Sequence, residues 1–206
     1  KGSLSKIISE IKNNIENKTL IFYTNGLLGS RKSQTDSNFN DFMYNLSYWS
    51  SWSNGFNIWK SEFDKIDKNL KLNKLFPHTS LFLTQHQAKL FCINDNLLFD
   101  VQRIPKRGGH NKFEAFTIEY PSLLDECCKK GHISTKCKKH ILFGIMVQFL
   151  PSLLFNKYII RIETFDDTGF RNNLKKYYPS YAYWLVLISV LGVPFRLFCR
   201  KLKNKR

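Results

Sequence analysis

The sequence predicts an α+β fold with a mainly antiparallel sheet, flanking helices and a C-terminal apolar helix long enough to cross a membrane. Three observations support this fold class: short apolar or alternating runs fill the middle of the chain, helical apolar periodicity flanks them, and residues 177–195 carry no charge. The 206 residues are 43% hydrophobic and 15% aromatic, which is enough to bury a core.

The N-terminal third is predicted to be largely helical. Apolar residues recur at helical spacing in residues 4–15, and the apolar run 19–24 predicts a strand that ends at the Asn25-Gly26 turn. In residues 39–66 aromatic side chains recur at spacings of three and four, which predicts one or two helices interrupted near residues 53–55. An aromatic stripe of this kind is typical of a core.

The middle of the chain predicts the sheet. The predicted strands are residues 80–84, 88–93, 97–104, 112–120 and 158–165. Asn94-Asp95-Asn96 has the composition of a hairpin turn. The run 112–120 alternates strictly, so we expect Phe116 and Ile118 to face the core.

The C-terminal apolar run predicts a membrane anchor. Nineteen uncharged residues, 177–195, form a helix of about 28 Å, close to the roughly 30 Å of a bilayer's hydrocarbon core. Six cations follow within eleven residues and no acid lies among them. We therefore expect a basic α+β domain at 1–170, an anchor helix at 177–198 and a basic tail at 199–206. The alternative is a buried helix of a soluble domain.

A second apolar run, residues 141–155, has a length between those of a core helix and a membrane span. It is interrupted by Gln148 and Pro151 and is preceded by cations. Three interpretations stay open: a buried helix, an interfacial helix lying among lipid head groups, or a second crossing.

The formal charge of +16, from 32 Lys and Arg against 16 Asp and Glu, favours anionic partners. The candidates are phospholipid head groups, acidic protein and nucleic acid. The residues expected to contact such a partner are Lys106, Arg107, Lys129, Lys130, Lys138 and Lys139.

A Cys/His-rich segment is the sharpest candidate for a metal site. The spacing Cys127-x4-His132-x4-Cys137, with Gly131 before the histidine, resembles the second half of a zinc knuckle. Cys127 or Cys128, His132, Cys137 and His140 could supply four ligands, although Leu124 stands where the knuckle has its first cysteine. We expect no stoichiometric zinc and no other cofactor.

Catalysis is not expected. Gly108 to Phe113 resembles the start of the HxK motif of phospholipase D phosphodiesterases, but Thr117 stands at the expected Asp position and no second copy exists. No Walker loop, dinucleotide fingerprint, GxSxG elbow or HExxH occurs.

Residues 170–197 carry a family resemblance. Phe170-Arg171, Leu174, Pro179 and the stretch 191–197 (LGVPFRL) resemble the last membrane segment of the transmembrane protein 151 family, with Val193 where that family has Trp. The resemblance implies a multi-pass membrane protein with a cytosolic domain between spans and no established catalytic role.

Two functional hypotheses follow. The first is a membrane-anchored, non-catalytic binding or scaffold domain with affinity for anionic partners. The second is a soluble nucleic-acid-binding or phosphate-handling protein that uses the Lys/Cys/His-rich segment 127–140.

Overall fold

A computed structural model describes residues 2–53, 55–99 and 111–204. The α-helices there are α1 Gly2–Asn13, α2 Phe39–Leu46, α3 Lys60–Phe63, α4 Pro77–Leu83, α5 Lys112–Glu114, α6 Tyr120–Lys129, α7 Thr135–Gly144, α8 Leu150–Leu154, α9 Phe170–Tyr177, α10 Ala182–Val190 and α11 Val193–Asn204. The 3₁₀-helices are Ser47–Ser51 and Thr84–Gln87, and the π-helical turns are Ala115–Glu119, Ile145–Phe149 and Phe155–Ile159. The strands are β1 Leu20–Tyr23, β2 Ser33–Asp36 and β3 Phe91–Asn94. The fold is therefore mixed α/β and mostly helical, and the prediction of a mainly antiparallel sheet fold is wrong.

The chain divides into two compact units. Unit 1 comprises residues 1–103 and 125–138, and unit 2 comprises residues 104–124 and 139–206. The domain boundary predicted near residue 170 falls inside unit 2.

Unit 1 is built on the small sheet, whose strand order is β1-β3-β2. β1 runs parallel to β3 and β2 runs antiparallel to it. Every side chain of β1 and β3 is buried, as expected for apolar strands covered on both faces, whereas the polar β2 forms an exposed edge. Phenylalanine rings pack beside β3, with Phe42 and Phe91 centroids 5.1 Å apart. The strands predicted at 19–24 and 88–93 are confirmed.

A loop between β1 and β2 is organised by Asp95. Asn25 and Gly26 both have positive φ, so the predicted turn is present. The fully buried Asp95 carboxylate accepts hydrogen bonds from Thr24 Oγ1 at 2.6 Å and from the Ser30 and Arg31 N–H groups at 2.8 and 3.0 Å. Residues 94–96 therefore do not form the predicted hairpin turn: residues 97–99 are not strand, and 100–104 lie outside the described residues.

Three predicted strands differ from the structure. Residues 80–84 belong to α4 and the 3₁₀-helix after it, because Pro77 favours the first turn of a helix. Residues 158–165 are the end of a helix and an irregular segment. Residues 112–120 are helical, and the buried residues are Phe113, Ala115, Thr117 and Tyr120, while Phe116 and Ile118 are half-buried.

Unit 2 contains most of one long helix, from Lys139 onwards. α7, α8 and the π-helical turns after each form a continuous helix, Thr135–Ile159, which is the one helix of the described residues long and apolar enough to cross a membrane by itself. Its most apolar stretch is 56% buried, and Ile145 and Leu150 are fully buried. α10 packs against α8 and the Ile145–Phe149 turn. Within the protein, residues 141–155 therefore form a largely buried helix.

Candidate membrane-binding site

The predicted anchor is not a single helix. α9 ends at Tyr177, and residues 182–199 form two helices, α10 and the start of α11, bent by 53° at Leu191-Gly192. Gly192 favours a break, and Pro194 lacks the N–H that would continue α10. The prediction of one helix over 177–198 is therefore wrong, although the bent pair together is apolar and long enough to count as one broken span.

One side of the bent pair is covered by unit 2. Ala182, Val186 and Val193 are buried, and the contacts of α10 are with α8, α9 and the Ile145–Phe149 turn. Residues 177–195 carry no charge on any side, so an uncharged segment is covered by protein on one side only.

The other side exposes a row of large apolar side chains, here called the apolar stripe. Its members are between 58% and 82% exposed: Trp184, Ile188, Leu191, Phe195 and Phe198. Their spacing of four, three, four and three residues is that of one helix face, continued across the bend. Leu191, at the bend, is the most exposed. Exposed apolar side chains on an ordinary protein surface are scattered singly, whereas these five form one row.

The stripe lies in the most basic part of the chain. Residues 168–206 contain nine cations and no Asp or Glu. On α9, the exposed Arg171 holds its guanidinium over the rings of Tyr183 at 5.2 Å and Trp184 at 5.9 Å. Such cation–π contacts restrain the arginine beside the end of the stripe.

A small cleft lies between α9 and α10, with a volume of about 50 Å³. It is lined by Arg171, Leu174, Lys175, Pro179, Ser180, Tyr183 and Trp184. We call it the α9–α10 cleft. Its lining contains two cations and no carboxylate, so it presents mainly hydrogen-bond donors.

The lysines predicted to bind an anionic partner are mostly engaged in ion pairs. Asp125 pairs with Lys129 at 2.9 Å and with Lys138 at 2.7 Å, and the two lysines lower the pKa of Asp125. Lys130 pairs with Glu126 at 2.6 Å. Lys139 is exposed in unit 2, and Lys106 and Arg107 lie outside the described residues. The sequence indicated two of these ion pairs, because an acid four residues before a lysine on a helix lies beside it.

The predicted metal ligands are not assembled into a site. Cys127 and Cys137 are buried, burial raises the pKa of the Cys127 thiol to about 12, and Cys137 Sγ contacts the Asn40 carbonyl oxygen at 3.5 Å. His132 instead stacks on His86, with ring centroids 3.5 Å apart. His140 belongs to unit 2. Across residues 2–53, 55–99 and 111–204, no three Cys, His, Asp or Glu side chains are placed to hold a metal ion.

Unit 1 also has a groove of about 670 Å³ that the sequence did not indicate. It collects side chains from three distant segments, among them Lys18, Glu62 and Lys89. Glu62 pairs with Lys18 and Lys65, both at 2.9 Å, so charges within the groove neutralise one another. Nothing in its lining selects a class of ligand.

Comparisons with known proteins found no match: no protein-family model fits the chain, and no curated protein or solved structure is similar to it. The resemblance of residues 170–197 to the transmembrane protein 151 family stays a prediction.

Proposed function

We propose that this protein is a non-catalytic binding or scaffold protein that attaches to anionic membranes through the apolar stripe of α10 and α11. The observation that carries the proposal is the stripe itself: five large apolar side chains at helical spacing are left uncovered by their own unit. The occupant we infer is a lipid bilayer, because the surrounding 39 residues, 168–206, hold nine cations and no acid.

Membrane attachment requires both the apolar stripe and the surrounding cations. Burying one large apolar side chain is worth about 1.5–3 kcal/mol, so five partly exposed ones supply on the order of 5 kcal/mol. A contribution of that size resembles that of a single lipid chain, which gives only reversible attachment. Cations near an anionic surface add about 1 kcal/mol each. We therefore expect binding that depends on acidic lipid and weakens with salt.

The bend favours a position within one leaflet. α10 has nine residues and α11 has twelve, which correspond to about 14 Å and 18 Å, and neither crosses a core of about 30 Å. The 53° bend lies at Leu191, the most exposed member of the apolar stripe, so the pair presents an apolar edge centred on the bend. This geometry suits insertion of the edge among the head groups and upper acyl chains.

Vesicle flotation of the full chain tests the proposal. We expect the wild-type chain to float with phosphatidylserine-containing vesicles, to float less with pure phosphatidylcholine, and to be released by salt. Leu191→Glu should lower the bound fraction at least about tenfold, because it places a charge at the apex of the stripe. Leu4→Glu is the matched control: Leu4 is an exposed leucine of α1, in unit 1, and the charge change is the same.

Two outcomes would contradict the proposal. One is a wild-type chain that floats with neither vesicle. The other is equal loss of flotation for Leu191→Glu and Leu4→Glu, since net charge alone would then explain binding.

The second hypothesis, a soluble nucleic-acid-binding protein that uses residues 127–140, stays a prediction. Five lysines in residues 129–139 still outnumber the adjacent acids Asp125 and Glu126. It would be supported by salt-dependent binding of single-stranded nucleic acid that Lys136→Gln weakens and Leu191→Glu leaves unchanged.

A further inference from the structure

We propose that the α9–α10 cleft binds the phosphate group of an anionic phospholipid, with Arg171 and Lys175 as its charged ligands. This inference rests on the proposed membrane attachment and adds a specific lipid-binding site to it.

The cleft brings together the groups that a phosphate requires. Arg171 and Lys175 lie four residues apart on α9, so their side chains project from the same side of the helix, and both line the cleft. A guanidinium can donate two parallel hydrogen bonds to phosphate oxygens, and an ammonium adds a compact charge. Ser180 also lines the cleft.

The arginine is held in place before any ligand binds. Its guanidinium lies over the rings of Tyr183 and Trp184, 5.2 and 5.9 Å from their centroids. Such contacts reduce the side-chain freedom that binding would otherwise have to restrict. A lysine at position 171 lacks the planar guanidinium that lies over these rings. Arg171→Lys should therefore weaken phosphate binding.

The position of the cleft favours lipid over a free anion. Trp184 belongs both to the cleft lining and to the apolar stripe. A phosphate bound by Arg171 and Lys175 would therefore leave its attached acyl chains beside Trp184 and the following members of the stripe. Indole rings prefer this boundary between head groups and acyl chains.

A phosphomonoester head group suits the cleft better than a phosphodiester. A monoester carries about −1.5 to −2 charges near neutral pH and three terminal oxygens, whereas a diester carries one charge and two. The cleft lining has two cations and no acceptor carboxylate, so it can satisfy the additional oxygen and charge. We therefore expect phosphatidic acid to bind more tightly than phosphatidylglycerol.

Two neighbouring lysines provide a matched test. Lys175 lines the cleft and Lys176 does not, yet both are exposed on α9 and their replacement removes the same charge. With phosphatidic acid vesicles, Lys175→Gln should weaken binding about tenfold, whereas Lys176→Gln should weaken it less than about twofold. Arg171→Lys should also weaken binding although it keeps the charge. Thermal melts of the three variants should match that of the wild type, because the replaced residues are exposed.

The outcomes separate the two proposals. If the wild type binds vesicles but Lys175→Gln and Lys176→Gln weaken binding equally, the cleft proposal is wrong and membrane attachment stands. If the wild type binds no vesicles, the proposed function itself fails. Inorganic phosphate at the same concentration as the vesicle phosphate, with ionic strength held constant, should not remove the difference between the two variants, because a free anion lacks the acyl chains that contact Trp184. If it does, the cleft binds free phosphate and the lipid assignment is wrong.

Discussion

The guanidinium of Arg196 donates a hydrogen bond to the carbonyl oxygen of Val147. Val147 lies in the π-helical turn Ile145–Phe149, where carbonyl groups leave the usual α-helical pairing. The same guanidinium reaches the Ser189 carbonyl at 3.3 Å, near the end of α10. The first cation after the apolar run therefore joins three helical segments of unit 2 and is not a freely solvated stop signal.

Replacing Arg196 should destabilise unit 2. Arg196→Gln should lower the free energy of unfolding by about 1.5–3 kcal/mol, because hydrogen bonds from a charged donor to partly buried carbonyl groups are lost. Urea unfolding measures this change. Lys176→Gln, which removes an exposed cation of α9, should shift the midpoint little. Equal shifts for both variants would show that the Arg196 hydrogen bonds contribute nothing.

Gly55 is predicted to tolerate no side chain. A Cβ at this position would lie 2.6 Å from Cζ of the buried Phe22 ring, and the Gly55 carbonyl accepts a hydrogen bond from the Tyr23 N–H. Gly55→Ala should therefore cost about 1–3 kcal/mol, measured by thermal or urea unfolding. Gly192→Ala is the control, since a Cβ at this position would have the Ser189 carbonyl oxygen as its nearest neighbour, at an ordinary 3.5 Å. A stability change as large in the control would refute the steric explanation.

Asp95 is predicted to be essential for the loop between β1 and β2. Burial acts to raise its pKa, but hydrogen bonds from Thr24 and from the Arg31 and Leu28 N–H groups outweigh burial and lower it. Asp95→Asn should cost on the order of 3 kcal/mol, because an amide NH₂ would face groups that are themselves donors. The carboxylate contributes stability above its unfolded pKa, near 3.8, and this contribution is lost as pH falls through the lower folded pKa.

The unfolding midpoint measures the effect of Asp95→Asn. Asp64→Asn should change it little, because Asp64 is exposed and its ion pair with Lys60 lies at the surface. A wild-type midpoint for Asp95→Asn would show that the loop does not depend on the carboxylate.

His132 is predicted to make unit 1 less stable in mild acid. Burial lowers its pKa, and His86 and Lys130 add to the shift. The folded pKa lies below the unfolded value of 6.5. The contribution of neutral His132 to stability is therefore fully present above pH 6.5 and is lost as pH falls through the folded pKa. His132→Phe keeps a ring against His86 and removes the titration. Between pH 7.5 and pH 5.5 the urea midpoint should therefore fall for the wild type and change less for this variant. Parallel curves would show that His132 is not the source of the pH dependence.

The sequence predicted local elements best where one pattern had one interpretation. β1 is a short apolar run and β3 is apolar up to its last residue, Asn94, and the structure confirms both strands. Residues 112–120 alternate in polarity like a strand. In the structure, however, Phe113, Thr117, Tyr120 and Leu124 are buried at helical spacing, and Ala115 is buried beside them. Nine residues were too few to separate the two periods, and extending the comparison to Leu124 would have separated them.

The candidate site was visible in the sequence only in outline. The uncharged run and its cations were evident, and Gly192 and Pro194 favour a break between α10 and α11, but the sequence does not give the 53° angle of the bend. Which apolar residues remain exposed depends on how α10 packs against α8. The sequence does not indicate that Arg171 and Lys175 share a site, because the cleft they line with Trp184 requires the turn between α9 and α10.

The bend at Leu191 has a mechanical consequence for a bilayer. A shallow apolar edge that enters one leaflet increases the area of that leaflet and leaves the other unchanged. The resulting area mismatch is relieved when the membrane bends so that the protein-bearing leaflet is on the convex side. The chain should consequently distinguish small vesicles from large ones of the same composition, because loosely packed outer head groups admit Leu191 and Phe195 at a lower cost in lipid packing.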